Sequence, residues 1–489
     1  MTKNLLIACL LTACLAKVSF ACTTIIVGRQ VSKDGSHFVG RTVDAPTFCV
    51  AKLQYIPAYK AKAPITYCDT TAKLELTLPS TGYACFAVPR NQTVCNGNTS
   101  EIALQDFFWE SVINEKRVGI SATETISTNK KVLAKDPFVK SGLHEGSIPR
   151  LVIPYISSAR EGVLRLAKLV EEHGMASAEA VIFIDDNEIW YMELYTGHRY
   201  AAQRIPENCC ACIPNDAMLG FYDKNDTKNW IASKDIIEFA KTSGAYQELD
   251  GKFHLALSYG TAKRDYSQLR IWAGRRRFAP STAGIYDVNR QYEICFKPDK
   301  KISLIDAFEL SRDRLEGTPQ ATDKGGNNTR PIGIDRSAQA HFIQFRRNDS
   351  SPILWASLAA PEFSVYFPIL GMPNEISQNF TYYSLNYNPN AFVWKLYEIA
   401  NLATTNRKIY SRLVRDKFGA LEREFVKSLD SFEYVLNAQD ANALLAYVTQ
   451  ESERKANEVK TQILEKYTKK RIDDTKFLGR DQIKELKVK

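Results

Sequence analysis

Cys22 stands where an export leader would end. Residues 1–21 carry one early cation, Lys3, an apolar stretch over residues 5–15, and Ser19-Phe20-Ala21, a small-x-Ala cleavage site. Cleavage there leaves a chain beginning Cys22-Thr23-Thr24-Ile25-Ile26-Val27-Gly28. Its first residue then holds a thiol nucleophile and a free α-amine together. An unperturbed α-amine titrates at about 7.7–8.0, so it can act as a general base near neutral pH. The thiol would attack an amide carbonyl and form a thioester, and its own amine would shuttle the proton. Two other readings stay open. A cysteine can follow a cleavage site by chance, and Leu11-Thr12-Ala13-Cys14 has the look of a lipoprotein box whose cleavage would leave Cys22 internal. The short apolar run ahead of Cys14 favours cleavage after Ala21.

A nucleophile of this kind must be positioned by strands. Thr24-Ile25-Ile26-Val27 is β-branched, Asp34-Gly35 is a turn signal, and residues 36–42 read as a second strand. A two-residue loop at Asp34-Gly35 would set Cys22 opposite Thr47. A longer loop or a bulge would bring Arg41 and Asp44 level with it. Arg41 could then lower the thiol pKa, or be a strand arginine facing water. Asp44 could hold the Cys22 ammonium, or make a structural turn ahead of Pro46. Further strands are expected at residues 118–121, 180–184, 189–194 and 253–257, and helices at 102–113, 159–173, 234–242 and 304–315. Strands interspersed with amphipathic helices imply a layered α+β architecture. From residue 391 the texture turns helical and ends in a basic tail. The expected division is 1–21 leader, 22–390 catalytic domain and 391–489 helical C-terminal extension.

Composition narrows the function. The net charge of +9 over 489 residues is spread out, without the basic face and stacking aromatics a nucleic-acid binder needs. Beyond residue 21 no run of about 18 apolar residues reads as a membrane span. Of eleven cysteines, two lie in the leader, so an odd number remain for an exported chain. Cys22 is the natural unpaired one, and the others are expected in disulfides. Cys209-Cys210-x-Cys212 has no matching Cys or His pair at finger spacing, so no metal is expected.

Several motifs in order carry a resemblance. They are Cys22-Thr-Thr, Gly40-Arg41-x-x-Asp44, residues 114–125 (NEKRVGISATET), Glu145-x-x-Ile148-Pro149, Glu188-x-Trp190-Tyr191-x-Glu193, Pro214-Asn215 and Leu269-Arg270-x-Trp272. Together they resemble the secreted dipeptidase A (dipeptidase D) family of N-terminal-nucleophile (Ntn) cysteine hydrolases, relatives of the choloylglycine hydrolases. The resemblance runs from Cys22 to about residue 410. It implies an αββα four-layer sandwich whose first strand starts with the nucleophile. It departs at Pro214-Asn215-Asp216, where the family commonly has Asn-Gln, and in six glycosylation sequons and the cysteine content.

The resemblance implies the roles. Cys22, Arg41, Asp44, Asn215 and Arg270 are the catalytic set, with Asn215 donating to the oxyanion. Thr123, Glu124 and Glu145 are the substrate-binding set. Glu124 stands where relatives place an asparagine, and a carboxylate there suits a dipeptide's free ammonium. Glu145, His198 and His341 also look like family positions, and Glu193 is expected to pair with a buried arginine. The implied activity is an exported, secreted or periplasmic, cofactor-independent dipeptidase acting on small peptides. A bile-salt or acyl-amide Ntn hydrolase, or a non-catalytic secreted protein of the same fold, are the alternatives. Self-association into a homo-oligomer stays open.

Overall fold

Two antiparallel sheets lie face to face and carry the site between them. The computed structural model describes residues 22–45, 49–69, 72–91, 107–321, 329–346, 350–429 and 436–475. Side chains at 107, 123–125 and 470–475 fall outside that description. The first sheet has six strands in the order Cys210–Ile213, Thr23–Val27, His37–Asp44, Ser337–Phe345, Ile353–Ser357 and Phe367–Leu370. The second has eight, in the order Trp230–Ala232, Tyr200–Arg204, Ile189–Leu194, Glu179–Ile184, Gly119–Thr125, Phe107–Asn114, Cys85–Asn91 and Gln54–Ile56.

The two-residue period of the strands sorts side chains into layers. Ile182 and Ile184 share a core with Ile26, Val39 and Ile343 of the first sheet. Their neighbours Val181 and Phe183 join Val163, Leu166 and Val170 of the helix Ala159–His173. That helix is capped by Ser158, whose hydroxyl accepts from Glu161 N, and Gly174 takes positive φ just after it. On the outer face of the first sheet, Phe308 of the helix Leu304–Ser311 stacks on Tyr366 at 4.1 Å and tilts against Phe342 at 5.2 Å. The layers therefore run helix, sheet, sheet, helix, which is the expected αββα order.

Four local expectations are corrected. Residues 107–114 form a strand where a helix was expected over 102–113; residues 102–106 lie outside the described ones. Phe-Phe-Trp-x-x-Val-Ile is rich in β-formers, and pairing with strands on both sides decides the contest. Residues 253–257 split into a two-residue strand, Lys252–Phe253, and a helix, Leu255–Tyr259, whose cap is the His254 ring accepting from Leu257 N at 3.3 Å. The helix expected to reach 315 stops at Ser311, because Arg312 turns inward to Glu422 and Leu315 sits at φ +64°. The cysteines expected in disulfides are thiols at all eight described positions, and Cys95 lies outside them.

Three helices follow, Phe392–Thr404, Arg407–Leu429 and Ala438–Thr475. They pack on one another and on the Phe367–Leu370 edge of the first sheet. Among the described residues no helix is long and apolar enough to cross a membrane.

Candidate active site

The hairpin carrying Cys22 is wider than a two-residue loop allows. Pairing runs from Val27 with Phe38 to Thr23 with Thr42, so the chain between Val27 and Phe38 loops out around Gly35, at φ +75°. Thr24 lies opposite Arg41, and two more steps of the register set Cys22 opposite Val43. Cys22 thus falls between the levels of Arg41 and Asp44. On its other side Thr24 pairs with Ile213, and the same continuation brings Asn215 level with Cys22.

Each of these groups is buried, so each needs a partner. Arg41 donates to Glu110, which reaches across from the second sheet, and Arg90 forms an ion pair with the other Glu110 oxygen at 2.5 Å. Arg90 also approaches Glu145 at 3.7 Å. Two guanidinium groups and two carboxylates therefore alternate between the sheets beside the nucleophile. Asp44 accepts from Arg330 and from Ser337 Oγ at 2.6 Å. Arg270, on the helix Asp265–Phe278, donates to the backbone carbonyl of Cys22 and to Thr23 Oγ1 at 3.0 Å. Arg270 therefore fixes the main chain of the nucleophile rather than its sulfur.

Burial pushes the Cys22 thiol well up, Arg41 opposes that shift, and Asp44, Glu145 and Glu110 add to it. The resting side chain is consequently a neutral thiol that needs a base. Burial also raises Asp44, against the pull of Arg330, Ser337 and Arg270. Glu145 is raised to about 7 by burial and by Glu110, with Arg90 and Arg41 opposing. His341 pairs in register with Arg41 and lies 2.8 Å from Ser121 Oγ. Burial and then Arg41 hold it well below the usual histidine range, so it is a neutral, structural ring.

Of the expected residues, Cys22, Arg41, Asp44, Asn215, Arg270 and Glu145 converge. Thr123 and Glu124 lie on the strand Gly119–Thr125, beside a bulge between Ala122 and Glu124, but their side chains fall outside the described residues. His198 sits apart, bound to Asp136 at 2.8 Å. Among the described residues Glu193 pairs with no arginine. It accepts from Tyr195 Oη at 2.8 Å and Met218 N at 2.6 Å, which ties down the loop that follows Asn215. Asp216, at the departure from the family pattern, is clamped by Arg264 at 2.7 Å, and Arg264 also reaches the Asn215 carbonyl at 3.4 Å. Glu110, Arg90 and Arg330 are the residues sequence reasoning missed. Glu110 had a signal, being an acid inside an aromatic, β-branched run, but the helical reading hid it. Arg90 and Arg330 had none, because only the sheet-to-sheet fold brings them to the site.

The model of peptidase family C69 matches residues 21–418. The chain is 31% identical over 434 residues to "Probable dipeptidase B" of Streptococcus pyogenes serotype M1, covering 85% of each chain. It is 30% identical over 409 residues to "Probable dipeptidase A" of S. pyogenes serotype M3, covering 78% of this chain and 83% of that one. Among solved structures, a conjugated bile acid hydrolase mutant of Clostridium perfringens aligns at 13% identity over 69% of this chain and 89% of that one, with a TM-score of 0.34. A buried thiol flanked by an arginine and an aspartate, on a chain matched over most of its length, places it with the peptidases: the chain belongs to peptidase family C69.

Proposed function

We propose that the protein is an exported Ntn dipeptidase that cleaves unblocked dipeptides through a thioester on Cys22. The observation that carries this reading is the convergence of Arg41, Asp44, Asn215 and Arg270 on the level of one buried cysteine. The names of the dipeptidase B and dipeptidase A relatives support the substrate class.

In the proposed cycle, removal of residues 1–21 frees the Cys22 amine, which takes the proton from the neutral thiol as sulfur attacks the carbonyl. Arg41 stabilises the thiolate, and the side-chain amide of Asn215 donates to the oxyanion, a contribution of roughly 3–4 kcal/mol for one such donor. Arg270 holds the Cys22 carbonyl, so the amine and sulfur keep one orientation. Asp44, paired to Arg330, holds the ammonium that forms. The amine then protonates the leaving group, and water hydrolyses the thioester. The substrate's own ammonium is held by an acid; Glu145 is supported by its place beside Arg90 and Cys22, and Glu124 by its sequence position alone.

Intact mass of active enzyme should show a chain starting at Cys22, and Cys22→Ala should be secreted, folded and without turnover. Residues still attached ahead of Cys22 in active enzyme would sink the self-base mechanism. Free and N-acetylated dipeptides, compared on wild type, Glu145→Gln and Glu124→Gln, locate the ammonium site. The correct substitution should shrink the preference for the free substrate by about ten- to a hundred-fold.

A further inference from the structure

The outer edge of the nucleophile-bearing sheet is the strand Cys210–Ile213. Among the described residues it is covered on that side by one antiparallel bridge, Cys210 with Phe296, made by two backbone hydrogen bonds of 2.9 Å each. Residues 209, 211, 295 and 297 of such a bridge point to one face, which makes Cys209 and Cys295 diagonal neighbours. Cys209 is the leading influence that raises the Cys295 thiol, so the two side chains lie near each other, while Cys209 Sγ donates to the Pro206 carbonyl at 3.3 Å. Cys209 is buried and Cys295 half-buried, and both are thiols. A sheet edge held by one bridge is a weak seam, and the strand's last residue, Ile213, lies two residues before Asn215.

We propose that Cys209 and Cys295 form a structural disulfide that staples the 295–296 segment to the edge of the nucleophile sheet. Two S–H bonds break and one S–S bond forms. The two protons and two electrons pass, through a mixed disulfide, to an oxidised small-molecule or protein disulfide, whose S–S bond breaks to give two thiols. The bond would constrain a long loop that includes the helices Ile236–Thr242 and Asp265–Phe278, the second of which carries Arg270. It persists in an oxidising compartment, so in the cell it rests on the export proposed above.

The test supplies its own oxidant and is therefore separable from both export and activity. The chain beginning at Cys22, carrying Cys22→Ala to remove the reactive thiol, is equilibrated with mixed reduced and oxidised glutathione, alkylated, digested and mapped by mass spectrometry. The expected product is a linked pair of peptides containing Cys209 and Cys295. It should vanish in Cys209→Ser and in Cys295→Ser, and survive in Cys210→Ser. Reductant should lower the melting temperature of the oxidised protein by a few degrees and leave Cys295→Ser unmoved. Cys295→Ser on the otherwise unaltered enzyme should keep its turnover. Alkylation of both thiols after oxidation, or a link that survives Cys209→Ser, would overturn the proposal.

Discussion

At the residue scale the site is governed by charges that cannot reach water. Glu110 is fully buried and is shared by Arg41 and Arg90, so it sets where the Arg41 guanidinium lies relative to Cys22. Glu110→Gln keeps the shape and removes the charge. A displacement of about 1 Å in a catalytic group can cost about 10²-fold, and a loss of that order in kcat/KM is expected. The same substitution removes a negative charge that raises the Cys22 pKa. The pH of half-maximal alkylation of Cys22 should therefore fall even as catalysis weakens, which simple loss of packing would not produce. Unchanged kcat/KM would show that Arg41 is placed by other groups. Glu145 gives a second test. With its pKa raised to about 7, it is ionised above that pH and can hold an ammonium only there. A dipeptide's α-amine loses its own charge above about 8. The kcat/KM for free dipeptides should rise through pH 7 and fall through pH 8. Because the Cys22 amine must lose its proton in the same range, the ratio of kcat/KM for free over N-acetylated dipeptides, in which that step cancels, isolates Glu145. It should rise through pH 7 in the wild type and stay flat in Glu145→Gln, and a rise that persists in that variant would exclude Glu145 as the ammonium site.

At the element scale, close approach of backbones decides where the catalytic arginine sits. A Cβ on Gly274 would lie 2.3 Å from Cys212 Cβ, so only glycine lets the helix Asp265–Phe278 rest against the Cys210–Ile213 strand. Gly274→Ala should push the helix outward and carry Arg270 away from the Cys22 carbonyl. Overpacking of this kind costs about 1–3 kcal/mol, and both melting temperature and kcat should fall; a variant with normal kcat would mean the helix shifts without moving Arg270. Much of this scale could be read from the chain. The helix Ala159–His173 was legible because its apolar residues recur at helical spacing behind a Ser cap, and Ile189–Leu194 because it is β-rich. The Cys22 hairpin was legible in kind but not in register, since the loop around Gly35 fixes which residues face the nucleophile. The strand Phe107–Asn114 misled because an apolar run buried on both faces lacks the alternation that marks a half-buried strand. The partners of Asp44 and Arg41 were beyond reach for a different reason. Arg330 and Glu110 lie far from them along the chain, and an ion pair leaves no periodic trace.

At the scale of the whole molecule the question is whether the terminal helices are an attachment or part of the body. The match to family C69 ends at 418, inside the helix Arg407–Leu429. Just beyond that point Glu422 reaches into the body. It meets Arg312 at 2.9 and 2.5 Å, both side chains are 1% exposed, and it also accepts from Tyr366 N at 2.8 Å. Breaking such a buried pair strands a charge and costs about 3–5 kcal/mol. Apolar contacts point the same way: Phe392 stacks on Phe380 at 4.5 Å, and both lie edge-on to Phe367 of the first sheet. Around the seam, a cavity of about 980 Å³ is bridged by surface pairs such as Arg415 with Glu316, which contribute little. The body and helices should therefore melt as one unit. Glu422→Gln should lower the single transition temperature of the whole protein, and a chain ending at residue 390 should be insoluble or bind hydrophobic dyes. A soluble, cooperatively folding 22–390 fragment with dipeptide turnover would show instead that the helices are a separable addition to the catalytic sandwich.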